Sequence, residues 1–452
     1  MGKRVVRNPI NTLFSWKGSI GRGPYALAGT ILFFVKWNLD RILGAGFFDN
    51  PWPIRYILPR TDILELAEDG RQIVALLGAI SLPFIYIGIV LTLKRLRSVG
   101  LPLWLVLLFF VPFLNLLFFI LLSTLPERTG ASPRAELPKT SFMDNYLPKN
   151  RLACSALAVI LWAGPALLGI YVFHDYGWGL FLGIPFGLGF MAAMLSGWHN
   201  PSTVRNGLLA AAIATALGLG LLFLFALEGI LCIVMAVPIV FPIALLGGIL
   251  GSLVQSNRGK SLCVLFGGTV FLMGFEHLEN PRPPTCAVVS TIEVDASPQN
   301  VWENVVTFSD LPEVKDWLFK TGIAYPTHAK IKGKGVGAER SCVFSTGPFE
   351  EPITVWDEPR ELRFGVTSQP APMQEWTFYA HIHPPHLERS FRAEEGQFLL
   401  EGLPGGRTRL HGTTWYHNDL WPSSYWKLWT DFIIHRIHLR VLNHVKDISE
   451  QE

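Results

Sequence analysis

Long apolar runs follow one another through the first 280 residues of the chain. Each is close to the roughly 20 residues that a transmembrane helix needs. After residue 284 the pattern changes to short alternating segments and one long C-terminal helix. It therefore predicts an all-α polytopic membrane region of six to eight helices, followed by a soluble α+β domain. The apolar runs are residues 25–48, 73–93, 101–123, 152–173, 177–195, 206–226, 229–254 and 261–276.

The soluble part begins with a strand and ends with a helix. Residues 285–296 alternate and are rich in Val, Ile and Thr, which is typical of a strand. Ser297 and Pro298 then supply a helix N-cap and a first-turn proline. Several short strands separated by Gly- and Pro-containing turns follow, and a long helix is predicted over residues 422–447.

Composition separates the same two halves. Half of the 452 residues are hydrophobic and only 16% are charged, which excludes a single soluble domain, a disordered chain and a coiled coil. Residues 1–280 carry 21 basic and 13 acidic side chains, whereas residues 281–452 carry 17 and 22. The first half is therefore basic and apolar. The second is acidic, which argues against nucleic acid as a partner.

The distribution of charge among the loops leaves the number of crossings open. The basic N-terminal tail predicts a cytoplasmic N-terminus, and loop 124–151 carries five basic and three acidic residues. If all eight runs cross, this loop lies outside and breaks the positive-inside rule. If 101–123 is a broken hairpin around Pro112 and 261–276 also fails to cross, six crossings satisfy the rule. Both solutions place the C-terminal domain in the cytoplasm, which we expect; a mixed case would place it outside.

Charged groups inside the apolar runs are few. Lys36 and Asp40 are four residues apart and can form a structural ion pair. Glu228 and Gly229 stand between two runs, where Glu228 is expected to cap a tight interfacial turn. No series of further charged groups follows, which argues against a transporter.

The N-terminal region resembles the DUF805 family of small bacterial inner-membrane proteins. The resemblance rests on the segment 13–22, Leu-Phe-Ser-Trp-Lys-Gly-Ser-Ile-Gly-Arg, and on the turn 94–100 before a Trp-containing run. Arg97 and Ser98 replace the His and Asp of the family turn, so no role of those two carries over. The resemblance covers residues 10–125 and implies no known activity.

The soluble half resembles the SRPBCC superfamily, which includes START-like and polyketide cyclase-like domains. The resemblance rests on residues 292–302, with support from 337–340 and 406–410. It implies a helix-grip fold, in which a curved antiparallel sheet surrounds a C-terminal helix, and a gap between them that binds hydrophobic molecules. Functions in the superfamily range from lipid transfer to cyclases, so the fold does not fix the function.

Together these features predict four segments. Residues 1–125 form a DUF805-like membrane domain, 126–151 a polar loop, 152–280 a second helical membrane region, and 285–452 the SRPBCC/START-like domain. The predicted location is the bacterial inner membrane, as a multi-pass protein in contact with the lipid bilayer.

The predicted ligand site is a set of large side chains around the terminal helix, because aromatic rings often line apolar pockets. Arg436 would share a helix face with four of them and would need a buried partner. We expect that partner to be Glu350, Glu351 or Glu375, or else the headgroup of an anionic ligand. The apolar candidates are Trp302, Phe344, Trp356, Trp376, Tyr425, Trp429, Phe432 and Ile433.

Metal and cofactor binding are not expected from the sequence. The five cysteines are widely spaced and form no CxxC motif, which argues against a zinc site and a disulfide framework. His381 and His383 would share a strand face, with His386 nearby, but a further ligand is not evident. No catalytic residues can be assigned.

Three functions remain open. The first is a membrane protein that presents a domain for binding or transferring a hydrophobic small molecule, such as a lipid or isoprenoid. The second is a non-catalytic scaffold whose cavity is filled by its own side chains. The third is a cyclase- or hydrolase-type enzyme that uses a His–carboxylate pair in the same cavity.

Overall fold

The computed structural model describes residues 13–48, 68–127, 146–199, 203–255, 258–279, 285–379, 382 and 384–451. The chain divides into two compact units. The membrane unit comprises Met1–Leu221 and Ala236–Pro281, and the C-terminal unit comprises Leu222–Met235 and Arg282–Glu452. The C-terminal unit thus includes a short piece, 222–235, that the sequence assigns to the membrane region.

The membrane unit is helical, as predicted. Six of its helical runs are long and apolar enough to cross a membrane: Ala75–Val99, Arg151–Phe173, Gly179–Ser196, Val204–Leu224, Ile230–Leu253 and Gly259–Leu278. Two π-helical turns, Leu168–Phe173 and Gly179–Gly183, lengthen the second and third of these runs. The helices are α1 (Arg22–Phe48), α2 (Glu68–Val99), α3 (Leu114–Thr124), α4 (Arg151–Leu167), α5 (Ile184–Ser196), α6 (Val204–Leu224), α7 (Ile230–Leu253) and α8 (Arg258–Glu279).

Helix α1 is also long enough to span, with 27 residues. It contains the Lys36–Asp40 ion pair, and both side chains are buried. The pairing expected from their spacing is confirmed.

The segment between α2 and α3 forms a broken hairpin. A 3₁₀ helix, Leu103–Phe110, folds back along α2, so that the ring of Phe109 lies against Gly88. The chain turns at Phe113, which has a φ of 64°, and α3 returns. The hairpin around Pro112 that the six-crossing solution requires is therefore present.

Arg95 closes this hairpin at its base. This fully buried guanidinium donates to the carbonyl of Leu122 at 2.9 Å, to that of Ile20 at 3.3 Å, and to that of Leu125. The last carbonyls of a helix lack hydrogen-bond donors within the helix. Arg95 donates hydrogen bonds to such carbonyls at the end of α3. The start of α1, the end of α2 and the end of α3 thus meet at one face, which we call the N-terminal face.

The remaining helices alternate between this face and the opposite one. The ring of Phe113, at the tip of the hairpin, contacts Gly183 at the start of α5. At that opposite face, Glu276 near the end of α8 accepts hydrogen bonds from the backbone of Trp178 at 2.7 Å and of Gly179 at 2.9 Å. The start of α5 and the end of α8 are therefore neighbours.

At the N-terminal face, other helix ends meet. Arg151 at the start of α4 donates to Asn206 in the first turn of α6 at 3.1 Å. Gly197, after α5, lies against Gln255, after α7. Helix α8 is continuous and is not interrupted at Gly267, contrary to the six-crossing solution.

The C-terminal unit has the predicted helix-grip fold. A seven-stranded antiparallel sheet has the order β1-β7-β6-β5-β4-β3-β2. Its strands are β1 (Cys286–Val294), β2 (Pro326–Lys332), β3 (Glu339–Phe344), β4 (Gly347–Asp357), β5 (Glu361–Gly365), β6 (Phe391–Leu403) and β7 (Arg407–Asn418). Its helices are α9 (Pro298–Val306), α10 (Trp317–Lys320), α11 (Pro385–Arg389) and α12 (Ser423–Ser449).

Helix α12 packs against the two margins of this sheet. Its close contacts run to β1 and β7 on one side and to β2 on the other, while α9 covers the end of the sheet near the C-terminus of α12. The buried side chains of α12 are Trp426, Ile434, Val441, Leu442, Val445 and Ser449. The concave faces of the middle strands, β3 to β6, therefore look into the space beneath the helix.

Candidate functional site

The concave face of the sheet is rich in aromatic rings. Cross-strand pairs bring Trp356 opposite Leu362, and Leu362 opposite Phe398. Phe364 lies over Gly396, where a Cβ would be 2.4 Å from its ring, so the missing side chain makes room for the aromatic group.

The two ends of this concave face differ. At the end covered by α9, Trp302 is 1% exposed and packs edge-on against Trp356, with ring centroids 5.5 Å apart. At the other end, Phe344 and Phe349 pack against each other at 4.6 Å and remain half-buried. Trp302 is thus fully buried at one end, whereas Trp356, Phe344 and Phe349 are half-buried and keep access to solvent.

A buried ion pair lies across the middle of the face. Arg340 of β3 pairs with Glu351, its cross-strand neighbour on β4. Its guanidinium is stacked near the rings of Phe308, Phe364 and Phe398. Burial raises the pKa of Glu351, and the charge of Arg340 opposes that rise.

Arg436 has a different partner from the three that we expected. It donates two hydrogen bonds to Asp316, at 2.8 and 2.5 Å, just before α10. Glu351 is engaged by Arg340, and Glu350 is exposed on the other face of β4. A charge partner inside the protein was therefore correctly expected, but its identity was wrong.

The predicted stripe on the terminal helix also faces another way. Ile433 packs against a small core formed by α10 and Ile323, whereas Phe432 is 41% exposed. Trp429 is half-buried, and Tyr425 donates its hydroxyl to the carbonyl of Met235. The stripe lies on the side away from β1 and β7.

The last two candidates lie in the segment after β5. Trp376 is 57% exposed, and its backbone carbonyl accepts a hydrogen bond from Ile230 at the start of α7. Glu375 lies beside Cys232 rather than Arg436. As ligand contacts, all these residues remain predictions.

A Ser–His cluster between helix and sheet serves packing. The Nδ1 atoms of His435 and His438 lie 2.8 and 2.9 Å from Ser290 Oγ, and His438 Nε2 lies 2.7 Å from Thr414 Oγ1. Ser290 is 1% exposed, so no substrate can reach its hydroxyl. The cluster attaches α12 to β1 and β7.

Sequence reasoning did not bring together Glu228, Cys232 and His386. Their donor atoms lie within 4.8 Å of one another in the C-terminal unit. The candidate histidines His381 and His383 lie outside the described residues. The one sequence signal for this cluster was a carboxylate between two apolar runs.

Comparison with known proteins supports the assignment of the N-terminal region. Residues 13–133 match the sequence model of the family described as "Protein of unknown function (DUF805)". The resemblance read from the opening motifs is thereby confirmed for that region. No curated protein matches the chain.

Solved structures resemble the C-terminal part. Truncated norcoclaurine synthase from Thalictrum flavum is 12% identical, with a TM-score of 0.25, and the match covers 37% of this chain and 96% of that one. The protein XoxI from Bacillus cereus is 13% identical, also with a TM-score of 0.25, and covers 36% and 94%. The assignment of the helix-grip fold rests on the strand order and the terminal helix described above.

Proposed function

We propose that this is an integral membrane protein whose helix-grip domain binds a hydrophobic molecule, such as a lipid or isoprenoid, and holds or transfers it. The observation that carries the proposal is the aromatic concave face of the sheet, half-exposed at Phe344 and Phe349. An apolar, concave, partly open surface is typical of small-molecule sites.

The compact unit that contains this concave face also includes the turn between α6 and α7. Tyr425 donates to the carbonyl of Met235, and Tyr379 donates to that of Leu224. The rings of Phe378 and Phe223 are 5.0 Å apart. The ends of two membrane-length helices are thus part of the same compact unit as the binding face, which suits a ligand that is taken from the bilayer.

Exposed apolar side chains surround this region of the unit. Phe378, Leu428 and Val234 are each more than half exposed. Exposed apolar patches mark sites of interaction with other proteins or with membranes. We infer that this surface of the C-terminal unit lies at the membrane.

The arrangement of helix ends supports seven crossings. The broken hairpin of residues 101–125 returns to the N-terminal face, whereas α1, α2 and α4 to α8 each run from one face to the other. An odd number of crossings carries the chain after α8 to the face opposite the N-terminus.

Seven crossings also satisfy the positive-inside rule for the charged loops. With seven crossings, the chain order would assign the basic N-terminal tail, the turn 94–97, loop 124–151 and the pair Arg258/Lys260 to the same side of the membrane. It would assign Glu228 and the acidic residues after 281 to the other side. With the basic face inside, we propose that the helix-grip domain faces outward, in place of the cytoplasmic location that the sequence favoured.

A non-catalytic scaffold is the alternative function. The packing of Trp302 against Trp356, and the Arg340–Glu351 pair, fill part of the space that a ligand would use. A domain filled in this way throughout would present surfaces but bind no small molecule.

The full-length protein, purified in detergent and extracted with organic solvent, is expected to release a stoichiometric apolar species detectable by mass spectrometry. Phe349→Asp should reduce that species at least about tenfold, because a carboxylate is costly to bury beside an apolar ligand. Val289→Asp is the matched control, since Val289 is exposed on the convex face, and it should retain the species.

A cooperative thermal unfolding transition, measured for both variants, is the control that they are folded. A wild-type protein that carries no such species, or equal amounts in the two variants, would favour the scaffold.

A further inference from the structure

Four side chains with metal-binding chemistry meet beside the turn between α6 and α7. Cys232 Sγ lies 3.2 Å from His386 Nε2, and Glu228 Oε1 lies 3.4 Å from His386 Nδ1. Glu375 lies beside Cys232, close enough to Gly229 that a Cβ there would be 1.9 Å from its Oε2. All of them belong to the C-terminal unit.

The set combines a thiol, an imidazole and two carboxylates. Zn²⁺ takes sulfur, nitrogen and oxygen ligands of these kinds, usually four in a tetrahedron. With ordinary bond lengths, two such ligand atoms stand about 3.5 Å apart. The observed separation of Sγ and Nε2 is close to this value, and Glu228, Cys232 and His386 each offer an atom within 4.8 Å of the other two.

The described residues give the two carboxylates of the cluster one titratable counter-ion, the imidazole of His386. Oε2 of Glu228 and both oxygens of Glu375 are buried, and the Cys232 thiol and the backbone of Leu231 lie beside Glu375. In the described part of the chain, neither carboxylate pairs with a lysine or arginine. Two neighbouring buried carboxylates are costly unless a cation neutralises them.

We propose that Glu228, Cys232 and His386, with Glu375 as the fourth donor, form a binding site for a zinc-like divalent metal ion. Such an ion would neutralise both carboxylates and the thiolate. It would also tie the turn at the start of α7 to the segment between β5 and β6. The site joins residues more than 140 positions apart, which is why the spacing of cysteines and histidines alone did not indicate it.

Glu228, Cys232 and His386 could instead be interpreted as a Cys–His–Glu catalytic group. That reading needs a thiol that a substrate can reach and a single carboxylate that orients the imidazole. The second buried carboxylate, Glu375, has no role in it. The cluster is therefore better explained by a cation.

Metal content measured on the full-length protein in detergent tests the site. The protein is incubated with zinc, and the excess is removed by desalting. Wild-type protein should then hold one Zn²⁺ per chain, as measured by inductively coupled plasma mass spectrometry. Cys232→Ser and Glu375→Gln should each lower the occupancy at least about tenfold at limiting zinc. The matched control is Cys263→Ser, an exposed thiol of α8, which should retain the metal.

Cobalt(II) provides a second measurement that reports the ligands directly. Wild-type protein loaded with cobalt should show thiolate-to-cobalt charge-transfer absorption, and Cys232→Ser should lose it while Glu375→Gln keeps it in weakened form. No bound zinc in the wild type, or unchanged zinc in both variants, would overturn the proposal.

Discussion

Glu351→Gln is expected to destabilise the helix-grip domain by about 3–5 kcal/mol, the cost of leaving one partner of a buried ion pair uncompensated. The side chain of Arg340 is 1% exposed and lies near three aromatic rings, so water cannot replace the lost carboxylate. For a domain of this size the midpoint of thermal unfolding should fall by roughly 10 °C. Tryptophan fluorescence of the full-length protein in detergent measures it.

A neighbouring residue supplies the control. Glu350 is adjacent in sequence but exposed, and Glu350→Gln should change the free energy of unfolding by less than about 0.5 kcal/mol. The double variant Arg340→Met/Glu351→Leu should recover most of the loss, because apolar residues often replace a buried pair at little cost. A loss below about 1 kcal/mol for Glu351→Gln would show that the pair is accessible to solvent.

Acidification from pH 7 to pH 4 is expected to weaken the attachment of α12 to the sheet. Burial lowers the pKa of His438 to about 4, and the neighbouring His435 lowers it in the same sense. In the unfolded chain this imidazole titrates near 6.5, so between these values the unfolded state binds a proton that the folded state refuses. Stability is fully present above about pH 6.5 and falls by about 3 kcal/mol on the way to pH 4.

His438→Gln should reduce this pH dependence, because an amide can hydrogen-bond to Ser290 and Thr414 without titrating. The control is His435→Gln. The side chain of His435 is exposed, so its replacement should leave most of the pH dependence of the unfolding midpoint in place. The measurement is the unfolding midpoint of each full-length variant between pH 7.5 and pH 4.5. If the unfolding midpoint depends equally on pH in the wild type and in His438→Gln, titratable groups other than His438 cause the pH dependence.

Local signals predicted much of the fold. Ser297 caps α9 as expected, since its hydroxyl accepts from the backbone of Asn300. The alternating pattern after residue 285 became β1, and the terminal helix spans Ser423–Ser449. These features depend on neighbouring residues alone, which is why the sequence indicates them.

Features that depend on distant contacts could not be predicted in the same way. Arg436 pairs with Asp316 from a loop 120 positions earlier, because α12 is covered on that side by α10. The helical period indicates a stripe of residues but not which element each side meets. The predicted stripe therefore lies beside the buried face of Ile434 and Val441 rather than on it, and its role in ligand binding stays a prediction.

The number of crossings shows the same limit in the membrane unit. Pro112 marked the break between the 3₁₀ helix and α3, and that signal was correct. Gly267 and Gly268 suggested a second break that is absent, because glycine is tolerated within membrane helices and α8 continues through both. The break at Pro112 follows from a local property of proline. Whether a helix continues through Gly267 and Gly268 depends on how it packs against its neighbours.

The proposed placement of the helix-grip domain on the opposite side of the membrane from the N-terminus is tested most directly by epitope accessibility. The full-length chain would carry one tag before Met1 and another after Glu452, and antibodies would be applied to bacterial spheroplasts before and after permeabilisation. Seven crossings predict that the C-terminal tag binds antibody in intact spheroplasts and that the N-terminal tag binds only after permeabilisation. Binding of both tags only after permeabilisation would contradict the seven-crossing arrangement and return the domain to the cytoplasm.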